Sequence, residues 1–213
     1  KDNAGRSLVQ MFYVSLLLNY LSKQKINLLY PLAIQSWWLY AGIGYVAILL
    51  IIYFVQEKFI FKPERLPQDF KYKYDVPFEE LFFDVEPGVR INGLHFYCNK
   101  PHGLILYFHG NTRSIKGWAK YARDFYRYHY DVILVDYRGF GKSTGRRSEK
   151  EMLNDMQFVY DTLVVQYHEH HILVYGRSMG SGFATKIAAD NKPRYLILDS
   201  PYFSFKKVAE RFA

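Results

Sequence analysis

Unbroken apolar runs punctuate the second half of the chain: GLILYF at 103–108, VILV at 132–135, ILVY at 172–175 and YLIL at 195–198. Continuous rather than alternating runs of this length predict strands buried on both faces, as in a parallel sheet. Two further strands are expected at 81–85 and 91–97, joined by a Pro87-Gly88 turn. Helical spacing falls between the runs. Trp118, Tyr121, Ala122 and Phe125 form one stripe, with Ser114 as its expected N-cap. Ser148 and Glu151 make a capping box ahead of Met152, Met156, Val159, Tyr160 and Leu163. Phe183, Ala184, Ile187 and Ala188 form a third stripe. Strand–helix alternation predicts an α/β domain with a mostly parallel sheet flanked by helices.

The front of the chain has a different pattern. Residues 36–56 read SWWLYAGIGYVAILLIIYFVQ, which is 21 positions without a charge. That length and apolarity predict one transmembrane helix, with Trp37, Trp38, Tyr40 and Tyr53 as interfacial aromatics; a buried core helix is the alternative. Residues 8–21 are also apolar but are broken by Gln10, Asn19 and Tyr20, so an interfacial helix or a second, weaker hydrophobic helix is expected there. The chain thus divides into an N-terminal segment, 1–35, a transmembrane helix, 36–56, and a domain, 57–213. Pro63, Pro67 and Pro77 predict an irregular link into that domain. Lys58, Lys62, Arg65 and Lys71 after the span, against Lys23 and Lys25 before it, lean the domain slightly towards the cytoplasmic side.

Composition narrows the classes. Half of the 213 residues are hydrophobic and 19% are aromatic, which excludes a disordered chain. The net charge of +8 suits anionic surfaces such as lipid headgroups, or nucleic acid, or is simply a basic surface. No nucleic-acid partner is expected. The single cysteine, Cys98, can form no intramolecular disulfide and reads as a small core residue.

Chemistry concentrates at the ends of the apolar runs. Gly176-Arg177-Ser178-Met179-Gly180 follows ILVY directly and opens the helix carrying Phe183 and Ile187. This is a G-x-S-x-G nucleophile elbow in its strand–turn–helix context. A serine on so sharp a turn has strained backbone dihedrals, and side chains at 176 and 180 would collide. Gly182 is expected to let the helix approach the sheet closely. His109-Gly110-Asn111 ends GLILYF, where an oxyanion loop belongs. The backbone N–H groups of Met179 and Asn111 are the expected oxyanion donors, and His109 is read as orienting that loop rather than as the base. Asp136-Tyr137-Arg138-Gly139-Phe140-Gly141-Lys142-Ser143 imitates a P-loop only at its end, because Asp136 stands where the first glycine is required. A tight turn is expected, freed by Gly139 and Gly141 and pinned by Asp136 and Ser143. His168, Glu169, His170 and His171 are read as a solvated loop rather than metal ligands, since contiguous residues rarely converge on one ion. Arg138, Lys142, Arg146, Arg147 and Lys150 are read as a solvated basic face rather than a patch for anionic headgroups. No metal or organic cofactor is implied.

Together, His109-Gly110-Asn111, the turn from Asp136 to Ser143, Gly176 to Gly180 and Leu198-Asp199-Ser200-Pro201 resemble the α/β-hydrolase superfamily, and within it the membrane-anchored Bem46-like and depalmitoylase-like serine hydrolases. The resemblance runs from about Phe59 to the end. It implies a serine hydrolase that cleaves an ester or thioester, less readily an amide, through Ser178, anchored in lipid by its N-terminal helix. In that superfamily the triad runs Ser, acid, His in chain order. No histidine follows His171 here, so the final strands, the acid and the base are expected beyond Ala213, and the stretch to Ala213 is expected to be inactive alone. Asp199 is a candidate acid in a variant arrangement, or supports the Ser200-Pro201 loop. The alternative is a catalytically inactive hydrolase fold serving as a membrane-proximal binding module.

Overall fold

The computed structural model describes residues 3–202 and 204, with side chains placed except at 3–12, 25–36 and 56–60. Residues Lys1–Glu57 and Lys58–Ala213 form two compact units. The first is a single long helix, α1 (Asn3–Ile60), which continues through Ile60. Within it, Trp37–Val55 is long and apolar enough to cross a membrane, at 19 residues and a mean hydropathy of 2.1. Its side chains from Trp37 to Phe54 are exposed. The polar breaks at Asn19 and Tyr20 lie inside the same unbroken helix. A helix tolerates them because the backbone ladder needs no apolar side chain.

The second unit is built on six strands: β1 (Phe78–Glu86), β2 (Val89–Phe96), β3 (Leu104–Phe108), β4 (Asp131–Val135), β5 (Ile172–Arg177) and β6 (Tyr195–Asp199). Their order in the sheet is β1-β2-β4-β3-β5-β6. β1 and β2 are the expected hairpin, antiparallel, and β2 also meets β4 antiparallel. β4, β3, β5 and β6 are parallel to one another. Every residue of β3 and β4 is buried, which is what their unbroken apolar runs require.

Two cores lie on the two faces. One packs Leu106, Phe108, Val174 and Ile133 under α4 (Glu149–Gln166) and α5 (Gly180–Asp190), through Met156, Tyr160, Phe183 and Ile187. The other packs Ile105, Tyr107, Leu94 and Leu134 against Ile115, Ala119 and Ala122. Ser148 caps α4, its Oγ accepting the Glu151 N–H at 3.2 Å, which is the serine half of the expected capping box. The stripe at 118–125 is less regular than expected. It runs as α2 (Ile115–Trp118), a 3-10 turn (Ala119–Tyr121) and α3 (Ala122–Tyr126). Ser114 precedes it in extended conformation but makes no side-chain cap; its hydroxyl donates instead to Glu64 at 2.9 Å.

Three other expectations change. Arg138 and Lys142 are not on a solvated face. Arg138 is 5% exposed and forks onto Asp155 at 2.6 and 2.8 Å while reaching Glu86 at 2.6 Å. Lys142 is 3% exposed and meets both oxygens of Glu80. Carboxylates remote in sequence make their burial tolerable, and a run of charges does not reveal such partners. Arg146 and Lys150 are exposed, as expected. Cys98 lies past the end of β2, half-buried rather than in the core. Gly182 is exposed and faces no strand: the nearest atom to an added Cβ is the Tyr202 hydroxyl at 3.6 Å.

Candidate active site

Three neighbouring parallel strands, β4, β3 and β5, end at Asp136, His109 and Ser178. Carboxyl ends of adjacent strands are where open α/β sheets place ligands. Ser178 is partly exposed and has φ +52°, a left-handed conformation that a non-glycine residue seldom adopts. It is held from both sides. Its N–H donates to the Asp199 carbonyl at 2.9 Å, and its own carbonyl accepts from the Ser181 N–H at 2.9 Å and the Ser181 hydroxyl at 2.6 Å. Met179 precedes α5 in helical conformation, so its N–H is among those a helix start leaves without an intrahelical partner.

The flanking glycines are sterically required. A Cβ on Gly176 would lie 2.5 Å from the Gly180 carbonyl oxygen and 2.6 Å from the Ala184 Cβ. A Cβ on Gly180 would lie 2.5 Å from the Phe108 carbonyl carbon and 2.8 Å from the His109 oxygen. The elbow is therefore pressed directly on the end of β3. Across from it, a Cβ on Gly110 would fall 3.6 Å from the Ser178 Cβ and 3.2 Å from the Trp118 ring, so the 109–111 loop stands beside the serine.

That loop is fixed through its carbonyls. Six in succession accept hydrogen bonds. The His109 oxygen takes one from the Tyr137 hydroxyl (2.7 Å), Gly110 from His109 Nδ1 (2.6 Å), and Asn111 from the Lys62 N–H (3.0 Å). Thr112 accepts from Trp118 Nε1 (2.8 Å), Arg113 from the Glu64 N–H (3.0 Å), and Ser114 from the Gly117 N–H (2.9 Å). The segment after α1, expected only as an irregular link, thus supplies two of the six donors. Lys62–Pro63 pairs in parallel with Thr112–Arg113, and Leu66 continues to the Gly141 carbonyl at 2.9 Å. Ser114 and Lys116 bind the Glu64 carboxylate; the Lys116 contact above all holds its pKa below the ordinary range.

His109 is wholly buried, and its Nε2 lies 3.1 Å from Asp136 Oδ1. Asp136 is equally buried and also accepts the Ile115 N–H at 3.0 Å. Burial pushes its carboxyl pKa up, against the opposing effect of His109. The 136–143 turn has the expected left-handed Gly139 and Gly141, and Ser143 Oγ donates to the Asp136 carbonyl at 3.3 Å. Asp136 does more than pin that turn, because its side chain reaches across to the neighbouring strand end. The legible signal was position: Asp136, like His109, is the first residue after a buried apolar run.

Asp199 touches the elbow through its backbone. Its carboxylate accepts from the Tyr175 hydroxyl at 2.7 Å and Ser200 Oγ at 3.0 Å, with Arg177 Nε at 3.4 Å. Tyr175 foremost, then Ser200 and Arg177, holds its pKa below the usual range. Arg177 lies over the Tyr121 ring at 4.8 Å and the Trp118 ring at 5.5 Å. At the opposite end of β5, Glu169 turns away from its histidine neighbours to accept from the Tyr160 hydroxyl (3.0 Å) and the Lys192 N–H (2.8 Å). Among the described residues, no three His, Cys, Asp or Glu side chains are grouped to hold a metal ion.

The strand order, the left-handed serine between strand and helix, and the loop beside it define an α/β-hydrolase fold. Solved structures agree on the fold. An esterase from Pyrococcus furiosus superposes with a TM-score of 0.57 at 22% identity, covering 72% of this chain and 60% of that one. An α/β hydrolase from Vibrio vulnificus gives 0.55 at 24% identity, over 64% of this chain and 50% of that one. In sequence, the serine aminopeptidase S33 family model matches residues 99–213, and the chain belongs to that family. Lysophosphatidylserine lipase ABHD12 of Bos taurus is 33% identical over 116 residues, 51% of this chain and 29% of that protein. Protein bem46 of Schizosaccharomyces pombe is 29% identical over 189 residues, 78% of this chain and 62% of that protein. The chain therefore spans less than two thirds of either relative.

Proposed function

We propose that this chain carries the nucleophile and oxyanion site of a membrane-anchored serine hydrolase that cleaves an ester or thioester through an acyl-enzyme on Ser178. The observation that carries the reading is the strained, partly exposed Ser178 at φ +52°, packed beside a loop whose carbonyls are all committed. Strain of this kind persists where surrounding structure over-determines it, and it gathers at functional sites. On this reading Ser178 Oγ attacks the acyl carbon while a base takes its proton. The carbonyl oxygen becomes an oxyanion held by the N–H groups of Met179 and Asn111, each worth about 3–4 kcal/mol when pre-aimed. Collapse expels the alcohol or thiol, and water then cleaves the acyl-serine.

None of the seven histidines from His95 to His171 is placed to act as that base. His168, His170 and His171 precede β5, while His102 and His129 precede β3 and β4, all at the strand ends opposite Ser178. His95 is bound to Asp131 and Tyr167, and both ring nitrogens of His109 are committed. The ABHD12 relative is named a lysophosphatidylserine lipase, which favours a lipid ester as substrate, presented to a domain anchored by Trp37–Val55. A fluorophosphonate probe tests the reading, because it traps an activated serine whatever the natural substrate. The full-length protein is expected to be labelled, and Ser178→Ala to abolish labelling without unfolding. A folded full-length protein that resists the probe would leave the fold as a binding module.

A further inference from the structure

We propose that Asp136 and His109 share one buried proton that aims the Asn111 N–H, which makes Asp136 a positioning residue for the oxyanion site. The proposal rests on the reading of Ser178 and Asn111 given above.

The His109 ring lies between two acceptors, the Gly110 carbonyl at Nδ1 (2.6 Å) and the Asp136 carboxyl at Nε2 (3.1 Å). A carbonyl can only accept, and so can an ionised carboxylate, while a neutral imidazole carries a single N–H. Filling both contacts therefore takes one proton more than a neutral histidine and an ionised aspartate hold between them. It sits either as imidazolium facing carboxylate, or on Asp136 Oδ1, donated to Nε2. The two forms have the same atoms and the same net charge, and in both Nδ1 presents its hydrogen to Gly110. Among the described residues, the buried Asp136 Oδ2 has no hydrogen-bond partner. Charge on a buried, unpartnered oxygen is costly, so these surroundings favour a pair that keeps its proton.

Of the groups facing this pair, burial and Glu64 favour the protonated carboxyl, while His109 and the Ile115 N–H oppose them. Glu64, from the segment after α1, adds a negative charge that raises the Asp136 pKa further, and burial raises it most. Tyr72 and Tyr74 lie within electrostatic reach and stay neutral, their own pKa values raised chiefly by burial. Tyr137 is committed to the His109 carbonyl, and the Trp118, Tyr137 and Phe140 rings surround the imidazole. Ile115 donates its N–H to Oδ1, and the Gly141 backbone lies against Oδ2.

The consequence is geometric. The Gly110 carbonyl and the Asn111 N–H belong to one planar trans peptide and point in opposite directions. Holding the carbonyl against His109 therefore aims the N–H. Without the shared proton the ring keeps its hydrogen for the carboxylate and turns a lone pair on the Gly110 oxygen, which must rotate away and take the N–H with it.

Overlay of side chains supplies a discriminating test in the full-length protein. In His109→Asn the amide nitrogen replaces Nδ1 and can still donate to Gly110. In His109→Gln it replaces Nε2 and reaches only Asp136. Asp136→Asn keeps the shape and removes the shareable proton. Fluorophosphonate labelling rate and hydrolysis of a p-nitrophenyl ester are measured for each, with near-UV circular dichroism reporting the fold. His109→Gln and Asp136→Asn are expected to lose about 10²–10³-fold in kcat with KM little changed, the cost of one misaimed oxyanion donor. His109→Asn is expected to exceed His109→Gln by at least about ten-fold, as a donor to Gly110 should. In His109→Asn, adding Asp136→Asn should cost far less than it does alone. Equal losses in His109→Asn and His109→Gln, or losses confined to KM, would overturn the proposal while leaving Ser178 in place. Failure of the wild-type protein to label would overturn both readings. If Asp136→Asn does not fold, the ratio between the two His109 variants decides.

Discussion

Two glycines two positions apart on the same helix should respond to the same substitution with opposite signs. Gly180 opens α5, and Gly182 is one half-turn further on. An alanine Cβ at 180 lands 2.5 Å from the Phe108 carbonyl carbon, closer still to its oxygen, and 2.8 Å from the His109 oxygen. Phe108 cannot yield, because β3 is paired on both sides, with Val135 of β4 and Gly176 of β5. Forcing one carbon into a packed site of this kind costs about 1–3 kcal/mol. An alanine Cβ at 182 meets only the Tyr202 hydroxyl at 3.6 Å, an ordinary contact. There the helix keeps the intrinsic advantage of alanine over glycine, about 1 kcal/mol. The two variants should therefore differ by about 2–4 kcal/mol. For a domain of this size that is a gap of roughly 4–16 °C in Tm, Gly180→Ala falling below wild type and Gly182→Ala rising above it. Thermal unfolding of the full-length protein, followed by near-UV circular dichroism, measures both. Gly180→Ala should also lose fluorophosphonate labelling, since a displaced helix start carries Met179 with it. Shifts of the same sign in both variants would refute the steric reading of the elbow.

Arg138→Met should cost about 3–5 kcal/mol, because it leaves Asp155, 2% exposed, as an uncompensated buried charge. Pairing it with Asp155→Leu should recover most of that loss in a double-mutant cycle of Tm values. Glu64 is held below the ordinary carboxylate range, chiefly by Lys116 and then by Ser114, so its contribution is present above the unfolded pKa and is lost as pH falls through the folded one. The Tm difference between wild type and Glu64→Gln should accordingly be visible at neutral pH and shrink as the buffer is taken below about pH 4. Deleting residues 1–56 from the full-length protein should move it from the carbonate-resistant pellet to the supernatant; a deletion that still pellets would point to peripheral attachment.

The strands and the elbow were legible because their signals are local. VILV and ILVY are short apolar runs bounded by turn residues, and two glycines flank the serine at a strand–helix junction, where any side chain would collide. What escaped was pairing across distance. Arg138 and Lys142 read as surface charges because nothing near them in sequence announces Asp155, Glu86 or Glu80. Gly182 read as a packing glycine because spacing alone does not say which side of α5 faces the sheet. The stripe at Trp118 to Phe125 has helical period, yet a 3-10 turn interrupts it at Ala119–Tyr121. Asp136 was legible as a turn residue, but its reach to His109 depends on β4 lying beside β3 in the sheet, which strand order along the chain does not reveal.

Because the 109–114 loop is gripped through its carbonyls, and two of the donors are the main-chain N–H groups of Lys62 and Glu64, part of what shapes it is invisible to side-chain genetics. Replacing Lys62 by alanine leaves its N–H in place, so an alanine scan would pass over that position and record it as dispensable. Proline is the informative letter there: it deletes the donor to the Asn111 carbonyl, and the residue that follows, Pro63, shows that the neighbouring backbone already accepts the ring. A variant catalogue for this chain, whether made in the laboratory or sampled from a population, is therefore best read by what each change does to the peptide unit as well as by what it does to the side chain.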